Sequence, residues 1–176
     1  MSNTTLSVQE KAKQIRLLIL DVDGVMTDGR IILDNNGNEL KSFNVRDGHG
    51  IKLIQRTGIS VAIITGRYSK VVERRAEELG IEDVFQRVLD KEAVYIQLLE
   101  KHGISDSEAA FMGDDIIDLK ILKRVGLAMA PVDAVEEIRS AVHWISSCRG
   151  GYGAVRDGIE LIMKSQGKWL PEGAPN

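Results

Sequence analysis

The sequence has little cysteine, no long apolar run and no excess of positive charge. Each of these absences excludes a structural feature or a class of partner. Cys148 is the single cysteine among 176 residues, so an internal disulfide is excluded and a reducing cytoplasm is the expected compartment. No apolar run approaches the roughly 20 residues that span a bilayer, and the polar first ten residues resemble neither a signal peptide nor an anchor. Without such a segment a membrane is not an expected partner. The formal net charge is −3, so nucleic acid is not an expected partner either.

The composition that remains is that of an ordinary globular protein, with 43% hydrophobic and 28% charged residues. A chain of 176 residues fits one domain and can bury a sizeable core. No repeat of 20–50 residues is present, which excludes a solenoid. We therefore predict a single domain over 1–176, with a flexible segment at 1–12 and a tail at 167–176.

The stretch 17–29 joins a short apolar run to a pair of carboxylates. Residues 17–20 are four consecutive aliphatics, which is typical of a strand at the centre of a parallel sheet covered on both faces. Asp21 and Asp23 follow, and residues two apart in an extended strand point to the same side. Gly24 lets the chain turn away from the strand end. The stretch predicts two carboxylates at the carboxyl edge of a sheet, where ligands of open α/β sheets bind.

Strand and helix patterns alternate along the rest of the chain. Strands are predicted at 59–64, 84–85, 109–112, 126–129 and 143–145. Helices are predicted up to Thr57, from Ser69 to Gly80, and over 91–102, 116–125, 134–141 and 154–164. The polar residues 44–50, with two glycines, predict a loop. Repeated βα units favour an α/β fold with a doubly wound, Rossmann-like parallel sheet.

A β-hairpin is predicted at 30–43, because two short runs of strand-forming residues flank the turn-forming residues 34–38. Such a hairpin would protrude as a flap. Ile31, Leu33 and Phe43 would then be exposed apolar surface on a monomer. We therefore expect a homo-oligomer with closed symmetry, most simply a tetramer.

A separate cap domain is not expected, because the gaps between the chemically important segments are short. Between Asp23 and Thr65 there are 41 residues, and between Thr65 and Lys91 there are 25. A folded cap would need about 50 residues in addition to the helix and strand of each gap. The hairpin is the one candidate for a lid.

Polar residues that suit phosphoryl chemistry follow the predicted strands. Thr65 follows the second core strand, Lys91 begins a helix, and Asp114 and Asp115 follow the strand 109–112. Converging carboxylates without histidine or cysteine form a hard-oxygen site suited to Mg²⁺. A lysine supplies a point charge and a threonine hydroxyl a donor for a phosphate dianion. The set predicts a site that holds and attacks a phosphoryl group.

These segments resemble, in order, the four motifs of the haloacid dehalogenase superfamily. The matching segments are 21–25, Thr65 after 63–64, Lys91, and 113–118. The resemblance covers nearly the whole chain and implies a doubly wound fold. It also implies phosphoryl transfer through an aspartyl-phosphate with Mg²⁺ as the cofactor.

The resemblance implies a role for each matching residue. Asp21 would be the nucleophile, and Asp23 would protonate the leaving alcohol and then activate water. Thr65 and Lys91 would hold the phosphoryl oxygens. Mg²⁺ would be bound by Asp21, the main-chain carbonyl of Asp23, and Asp114, with Asp115 and Asp118 as outer support.

Three further segments resemble motifs of a narrower family without a cap domain: 25–29, 43–48 and 150–156. Members of this family hydrolyse the 8-phosphate of an eight-carbon 3-deoxy sugar acid. Members of that family are cytoplasmic tetramers that serve lipopolysaccharide biosynthesis. The resemblance implies that the loop 149–153 and the helix that follows it help to close a neighbouring site. It also implies a set of sugar-acid contacts: Asn44, Val45, Arg46, Asp47, Gly48, Lys52, Gly66, Arg67 and Arg75.

Alternatives remain open on the sequence alone. A phosphatase of a nine-carbon sugar acid 9-phosphate would share the same motifs. A receiver-like signalling domain also uses acidic residues, a threonine and a lysine on a doubly wound sheet, although it would not need Asp114 and Asp115. A descendant of the fold that only binds a partner would not need the full set of catalytic groups.

Overall fold

The computed structural model describes residues 6–169 of the chain. Eight strands lie within this range: β1 (Leu17–Leu20), β2 (Ile32–Leu33), β3 (Glu39–Leu40), β4 (Ser60–Ile64), β5 (Asp83–Phe85), β6 (Ala109–Met112), β7 (Leu127–Ala130) and β8 (Trp144–Ile145). The same range contains seven α-helices: α1 (Val8–Lys13), α2 (Val45–Arg56), α3 (Lys70–Leu79), α4 (Lys91–His102), α5 (Leu119–Leu122), α6 (Glu136–Arg139) and α7 (Ala154–Ser165). No helix of the described part is long and apolar enough to cross a bilayer.

Six strands form one parallel sheet in the order β5-β4-β1-β6-β7-β8. The chain builds outward from β1 through β4 to β5 and then returns to the other side of β1. The strand order reverses at β1, and the carboxyl end of such a reversal point is where open α/β sheets bind ligands. The predicted doubly wound parallel sheet is confirmed.

The sheet is buried on both faces because its central strands are apolar on both sides. Leu18 and Leu20 pack into one core with α1, α2, α3 and α7. Leu17 and Ile19 pack into a second core with α4, α5 and α6. Because alternate side chains of β1 point to opposite faces, the sheet forms the middle of three layers with helices on both sides. The carboxyl end of β1 then lies at the centre of the carboxyl edge of the sheet.

The predicted hairpin flap is present, and the described residues contain no separate cap. Strands β2 and β3 pair antiparallel. The carboxylate of Asp34 accepts hydrogen bonds from the N–H groups of Asn36 and Asn38, both at 2.8 Å, and so closes the turn. Ile31 and Leu33 are 62% and 61% exposed. The prediction that Phe43 is exposed is wrong, because its ring is half-buried against the α2 side of the core.

The predicted loop at 44–50 is also wrong, because α2 already begins at Val45. The Asn44 side chain caps this helix by accepting hydrogen bonds from the N–H groups of Arg46 and Asp47. The glycines in this segment serve close packing instead of a turn. A Cβ on Gly50 would lie only 3.0 Å from the Arg156 side chain of α7.

Two further segments differ from the prediction. Residues 8–12, predicted as part of a flexible segment, form most of α1, and the buried Ala12 packs in the core. The helix predicted at 116–125 is a 3₁₀ turn (Ile116–Asp118) followed by the short α5. The side chains of Asp115 and Asp118 accept main-chain hydrogen bonds here, which competes with regular helix.

The ends of the chain are described in part. Residues 1–5 of the predicted flexible segment and 170–176 of the predicted tail lie outside the described residues. Within the described part of the tail, Trp169 lies 4.9 Å from the guanidinium of Arg156 on α7.

Candidate active site

A cavity of about 240 Å³ opens at the carboxyl ends of β1, β4 and β6. It lies at the reversal point of the strand order, as the sequence predicts. Four carboxylates, a hydroxyl, an arginine, two glycines and an isoleucine line it: Asp21, Asp23, Gly29, Thr65, Gly66, Arg67, Asp114, Asp115 and Ile117.

Three carboxylates converge beside this cavity, and two of them, Asp21 and Asp114, line it. One oxygen from each of Asp21, Asp114 and Asp118 lies within 4.8 Å of the others. Gly24 allows this approach, because a Cβ on it would stand 1.9 Å from Oδ2 of Asp114 and its φ of +84° disfavours other residues. The Asp23 carboxylate is not part of this cluster and faces the cavity mouth.

The cluster carries more negative charge than its burial favours. Burial and the charge of Asp118 raise the pKa of Asp21 above its usual range. Burial, followed by the charges of Asp21, Asp118 and Asp115, raises the pKa of Asp114 to about 8. Without a nearby cation, these carboxyl groups cannot all be ionised at once. Their oxygens are the ligands that Mg²⁺ prefers, and their negative charge would be offset by a dication.

Lys91, the first residue of α4, places an ammonium group against the carboxylate cluster. Its Nζ lies 3.0 Å from Oδ2 of Asp21 and 2.7 Å from Oδ1 of Asp118. Burial alone would lower the pKa of Lys91, and the charges of Asp21 and Asp118 outweigh it and raise that pKa. The ammonium therefore stays charged and is held against the cluster. Asp90 supports this by capping α4 through the N–H of Glu92.

The main chain fixes Thr65 and Asp118. The Thr65 N–H donates to the carbonyl of Phe85 at 2.9 Å, and the Thr65 carbonyl accepts from the N–H of Val88 at 3.1 Å. Asp118 is fully buried, and its second oxygen accepts from the N–H of Asp114 at 3.2 Å. These bonds hold the ends of β4 and β6 in place around β1.

A network of two cations and two carboxylates lies at the cavity mouth. Arg67 contacts Asp23 at 3.4 Å and Glu39 at 2.7 Å. Lys41 forms ion pairs with the same two carboxylates. Sequence reasoning missed Glu39 and Lys41. Their signal was the alternation in the predicted second arm of the hairpin, where residues two apart share a side.

The cavity brings together only two of the residues expected to contact a sugar acid, namely Gly66 and Arg67. Asn44 caps α2, while Val45 and Arg46 are exposed at its start.

Residues Asp47 and Gly48 face the protein interior instead. The Asp47 carboxylate accepts hydrogen bonds from the N–H groups of Gly153 and Arg156, and so caps α7. A Cβ on Gly48 would lie 2.2 Å from the Arg75 guanidinium. Asp47 therefore stabilises the contact between α2 and α7, and Gly48 makes room for Arg75.

Lys52 and Arg75 also lie away from the cavity. Lys52 lines a separate cavity of about 430 Å³ with Ser60, at the amino end of β4. Arg75 pairs with Glu78 at 3.1 Å and lies 5.7 Å from the ring centroid of Phe43. Neither side chain lines the cavity at the carboxyl ends of β1, β4 and β6.

The glycine-rich loop 149–153 packs against its own chain's 24–28 turn. The N–H of Gly151 donates to the carbonyl of Val25 at 2.9 Å. A Cβ on Gly150 would stand 1.8 Å from the carbonyl oxygen of Gly24. The loop therefore supports the backbone that follows Asp23.

Comparison with known families agrees with this fold. The model of the haloacid dehalogenase-like hydrolases matches residues 48–132. A hydrolase of the same superfamily from Legionella pneumophila shares 45% identity at a TM-score of 0.90, over 92% of this chain and 88% of that one. The chain belongs to this family.

Within the family, the chain is similar to phosphatases of one kind. It is 47% identical to the 3-deoxy-D-manno-octulosonate 8-phosphate phosphatase KdsC of Escherichia coli K12, over 90% of this chain and 84% of that protein. A crystal structure of the Yersinia pestis phosphatase of the same name shares 45% identity at a TM-score of 0.90, over 92% of this chain and 87% of that one. The phosphatase of the same name from Moraxella catarrhalis was solved with magnesium, phosphate and the sugar acid 3-deoxy-D-manno-octulosonate (KDO). It shares 42% identity at a TM-score of 0.90, over 92% of this chain and 93% of that one.

Proposed function

We propose that this chain is a Mg²⁺-dependent phosphomonoesterase that hydrolyses 3-deoxy-D-manno-octulosonate 8-phosphate to the free sugar acid and phosphate. The observation that carries the proposal is the buried pairing of Asp21 with Lys91 beside Asp114, in a chain 47% identical to phosphatases of this name. By the same resemblance, the reaction belongs to lipopolysaccharide biosynthesis in the cytoplasm. The receiver domain and the binding-only descendant gain no support from these relatives.

The residues present fit a magnesium ion. The carboxylates of Asp21 and Asp114 and the main-chain carbonyl of Asp23 would hold it, with Asp115 and Asp118 supporting them from outside. All are hard oxygen donors, and the raised pKa of Asp114 reflects negative charge that a dication would offset. When bound, Mg²⁺ supplies charge neutralisation and polarises a phosphoryl oxygen.

The chemistry at Asp21 proceeds in two displacements. A carboxylate oxygen of Asp21 forms a bond to phosphorus while the bond to the C8 oxygen breaks, and Asp23 gives its proton to that oxygen. In the second step Asp23 takes a proton from water, whose oxygen attacks phosphorus and releases Asp21. Lys91 and Thr65 hold the phosphoryl oxygens during both displacements.

Phosphate release from the purified protein tests this function. We expect turnover of the eight-carbon 8-phosphate with Mg²⁺, and a kcat/KM at least about tenfold higher than for a nine-carbon sugar acid 9-phosphate. A preference for the nine-carbon substrate would replace the proposed one. A stable phospho-protein without turnover would favour a receiver domain instead.

Arg67 is proposed to bind the substrate carboxylate. Its side chain is 43% exposed at the cavity mouth and joins the flap to Asp23. A guanidinium can hold a carboxylate through two parallel hydrogen bonds.

We expect Arg67→Ala to raise KM for the eight-carbon substrate about 10- to 100-fold, since a charged hydrogen bond contributes about 1.5–3 kcal/mol. KM for glycerol phosphate, which has no carboxylate, should change little. Steady-state kinetics on both substrates measure this, with the exposed Arg74→Ala as the control. Equal losses on both substrates would assign Arg67 to the phosphate or to the fold.

The flap supports a further proposal, that the protein is a homotetramer. Ile31, Leu33 and Leu40 are 62%, 61% and 55% exposed on a site with no cap of its own. Light scattering should give the mass of four chains, and Leu33→Asp should lower that mass. A fully active monomer at assay concentration would contradict this.

A further inference from the structure

Lys41 is a nearly buried lysine on an exposed flap. Its side chain is 1% exposed, although it directly follows β3, whose Leu40 is 55% exposed. Residues 39 and 41 share one side of the extended chain, and both side chains turn toward the site. Burying an ammonium is costly unless it is paired. The flap therefore places this charge at a specific partner.

That partner is the Asp23 carboxylate. Lys41 forms an ion pair with Oδ1 of Asp23, and its Nζ also lies 3.4 Å from Oε1 of Glu39. Arg67 approaches the other oxygen, Oδ2, at 3.4 Å. The two contacts differ in kind, because the Lys41 side chain is enclosed whereas that of Arg67 is 43% exposed. Arg67 therefore has room to exchange these contacts for a substrate, whereas the enclosed Lys41 does not.

We propose that Lys41 is a positioning residue, which fixes the Asp23 carboxylate by one oxygen and leaves Oδ2 to exchange the proton with the leaving alcohol. Glu39 in turn holds Lys41 in place. This inference rests on the proposed phosphatase function and adds to it a residue that links the flap to acid catalysis. Lys41 itself does not touch the reacting atoms.

The role predicts a dependence on the leaving group. When the bond between phosphorus and the C8 oxygen breaks, the sugar alkoxide is a poor leaving group and needs the proton of Asp23. A p-nitrophenolate leaves without one. Because kcat/KM reports only the steps up to departure of the leaving group, it separates proton donation from later hydrolysis of the phospho-enzyme.

The experiment compares Lys41→Met with wild type on both substrates in saturating Mg²⁺. We expect kcat/KM for the eight-carbon 8-phosphate to fall about 100-fold, at the lower end of what general acids contribute, and that for p-nitrophenyl phosphate to fall less than about fivefold. Lys41→Arg, which keeps the charge, should recover most of the loss. Ser42→Ala, at the next residue of the same arm, is the control and should match wild type. Unchanged kinetics of Lys41→Met on the sugar phosphate would overturn the proposal.

A double-mutant cycle separates positioning from a structural role. In an Asp23→Asn background, Lys41→Met should add less than about a twofold loss, because residues that act through one another are not additive. Equal losses on the two substrates, or an additive loss in the cycle, would show that Lys41 only supports the flap. A wild-type protein that fails to hydrolyse the sugar phosphate, or an Asp23→Asn variant without impairment, would instead overturn the proposed function.

Discussion

Asp21→Asn is expected to lower turnover of the sugar acid phosphate by at least about 10⁴-fold while leaving the fold intact, as removal of a nucleophile does in other hydrolases. The amide keeps the shape of the carboxylate. Its oxygen can still accept the hydrogen bond that the N–H of Val22 donates to Oδ1 at 2.7 Å. What it lacks is the nucleophilic charge on the oxygen that faces Lys91 at 3.0 Å.

The fold should survive because the ionised Asp21 does not stabilise the metal-free protein. A pKa raised by burial and by Asp118 means that the folded state disfavours the charged carboxylate. At neutral pH and above, Asp21→Asn removes this repulsion and should leave the melting temperature without Mg²⁺ equal or higher. Rapid phosphate assays and thermal melts in EDTA measure the two effects separately.

The control for Asp21→Asn is Asp115→Asn. Asp115 lines the same cavity, but its exposed carboxylate bonds only the neighbouring N–H of Ile116 among the described residues. We expect less than about a tenfold loss from it, since it touches no reacting atom. A folded Asp21→Asn protein that retained a substantial part of wild-type activity would refute the two-step mechanism.

The central motif could be predicted from the sequence because its signals are local. Four aliphatics followed by Asp21, Asp23 and Gly24 define a buried strand, two carboxylates and a turn within eight residues. The parallel order of the sheet then follows from the alternation of strands and helices. Because parallel strands share one carboxyl edge, Thr65 and Asp114 had to lie near Asp21.

The start of α2 could not be predicted in the same way. Gly48 and Gly50 suggest a loop locally, but each is required by a tertiary contact, with Arg75 and with α7. Asn44 provides a cap that outweighs the low helix propensity of the glycines. A sequence pattern does not distinguish a glycine needed for close packing from one needed for a turn.

The network around Asp23 depends on the path of the flap. Lys41 is 18 residues from Asp23 and Arg67 is 44 residues away, and only the hairpin and the end of β4 bring them together. Lys52 shows the converse. It lies on α2, soon after the flap in sequence. However, α2 runs away from the carboxyl edge and carries Lys52 to the amino end of β4.

Removal of the metal is expected to lower activity by more than about 100-fold, because charge stabilisation by a bound cation contributes several kcal/mol to phosphoryl transfer. Excess EDTA should silence the enzyme and added Mg²⁺ should restore it. Asp114→Asn should require far more Mg²⁺ for the same activity, since it removes a proposed ligand with a pKa raised to about 8. Asp115→Asn is the matched comparison: it removes outer support of the ion and no proposed ligand, so it should raise the Mg²⁺ requirement by only about tenfold, well below the effect of Asp114→Asn.

The raised pKa of Asp114 gives this prediction a second readout that does not depend on turnover. Below about pH 8 a proton occupies Asp114 for much of the time in the metal-free protein, and a cation must displace it. Because the carboxylates of the unfolded chain ionise near their ordinary pKa, the folded, metal-free protein loses stability as pH rises from that value, and the loss is complete above about pH 8, where Asp114 holds an unneutralised charge. Mg²⁺ should therefore raise the melting temperature more at pH 8.5 than at pH 6, and this difference should shrink in Asp114→Asn. Full activity in excess EDTA, or an equal thermal shift at both pH values, would show that the carboxylate cluster does not bind the catalytic cation.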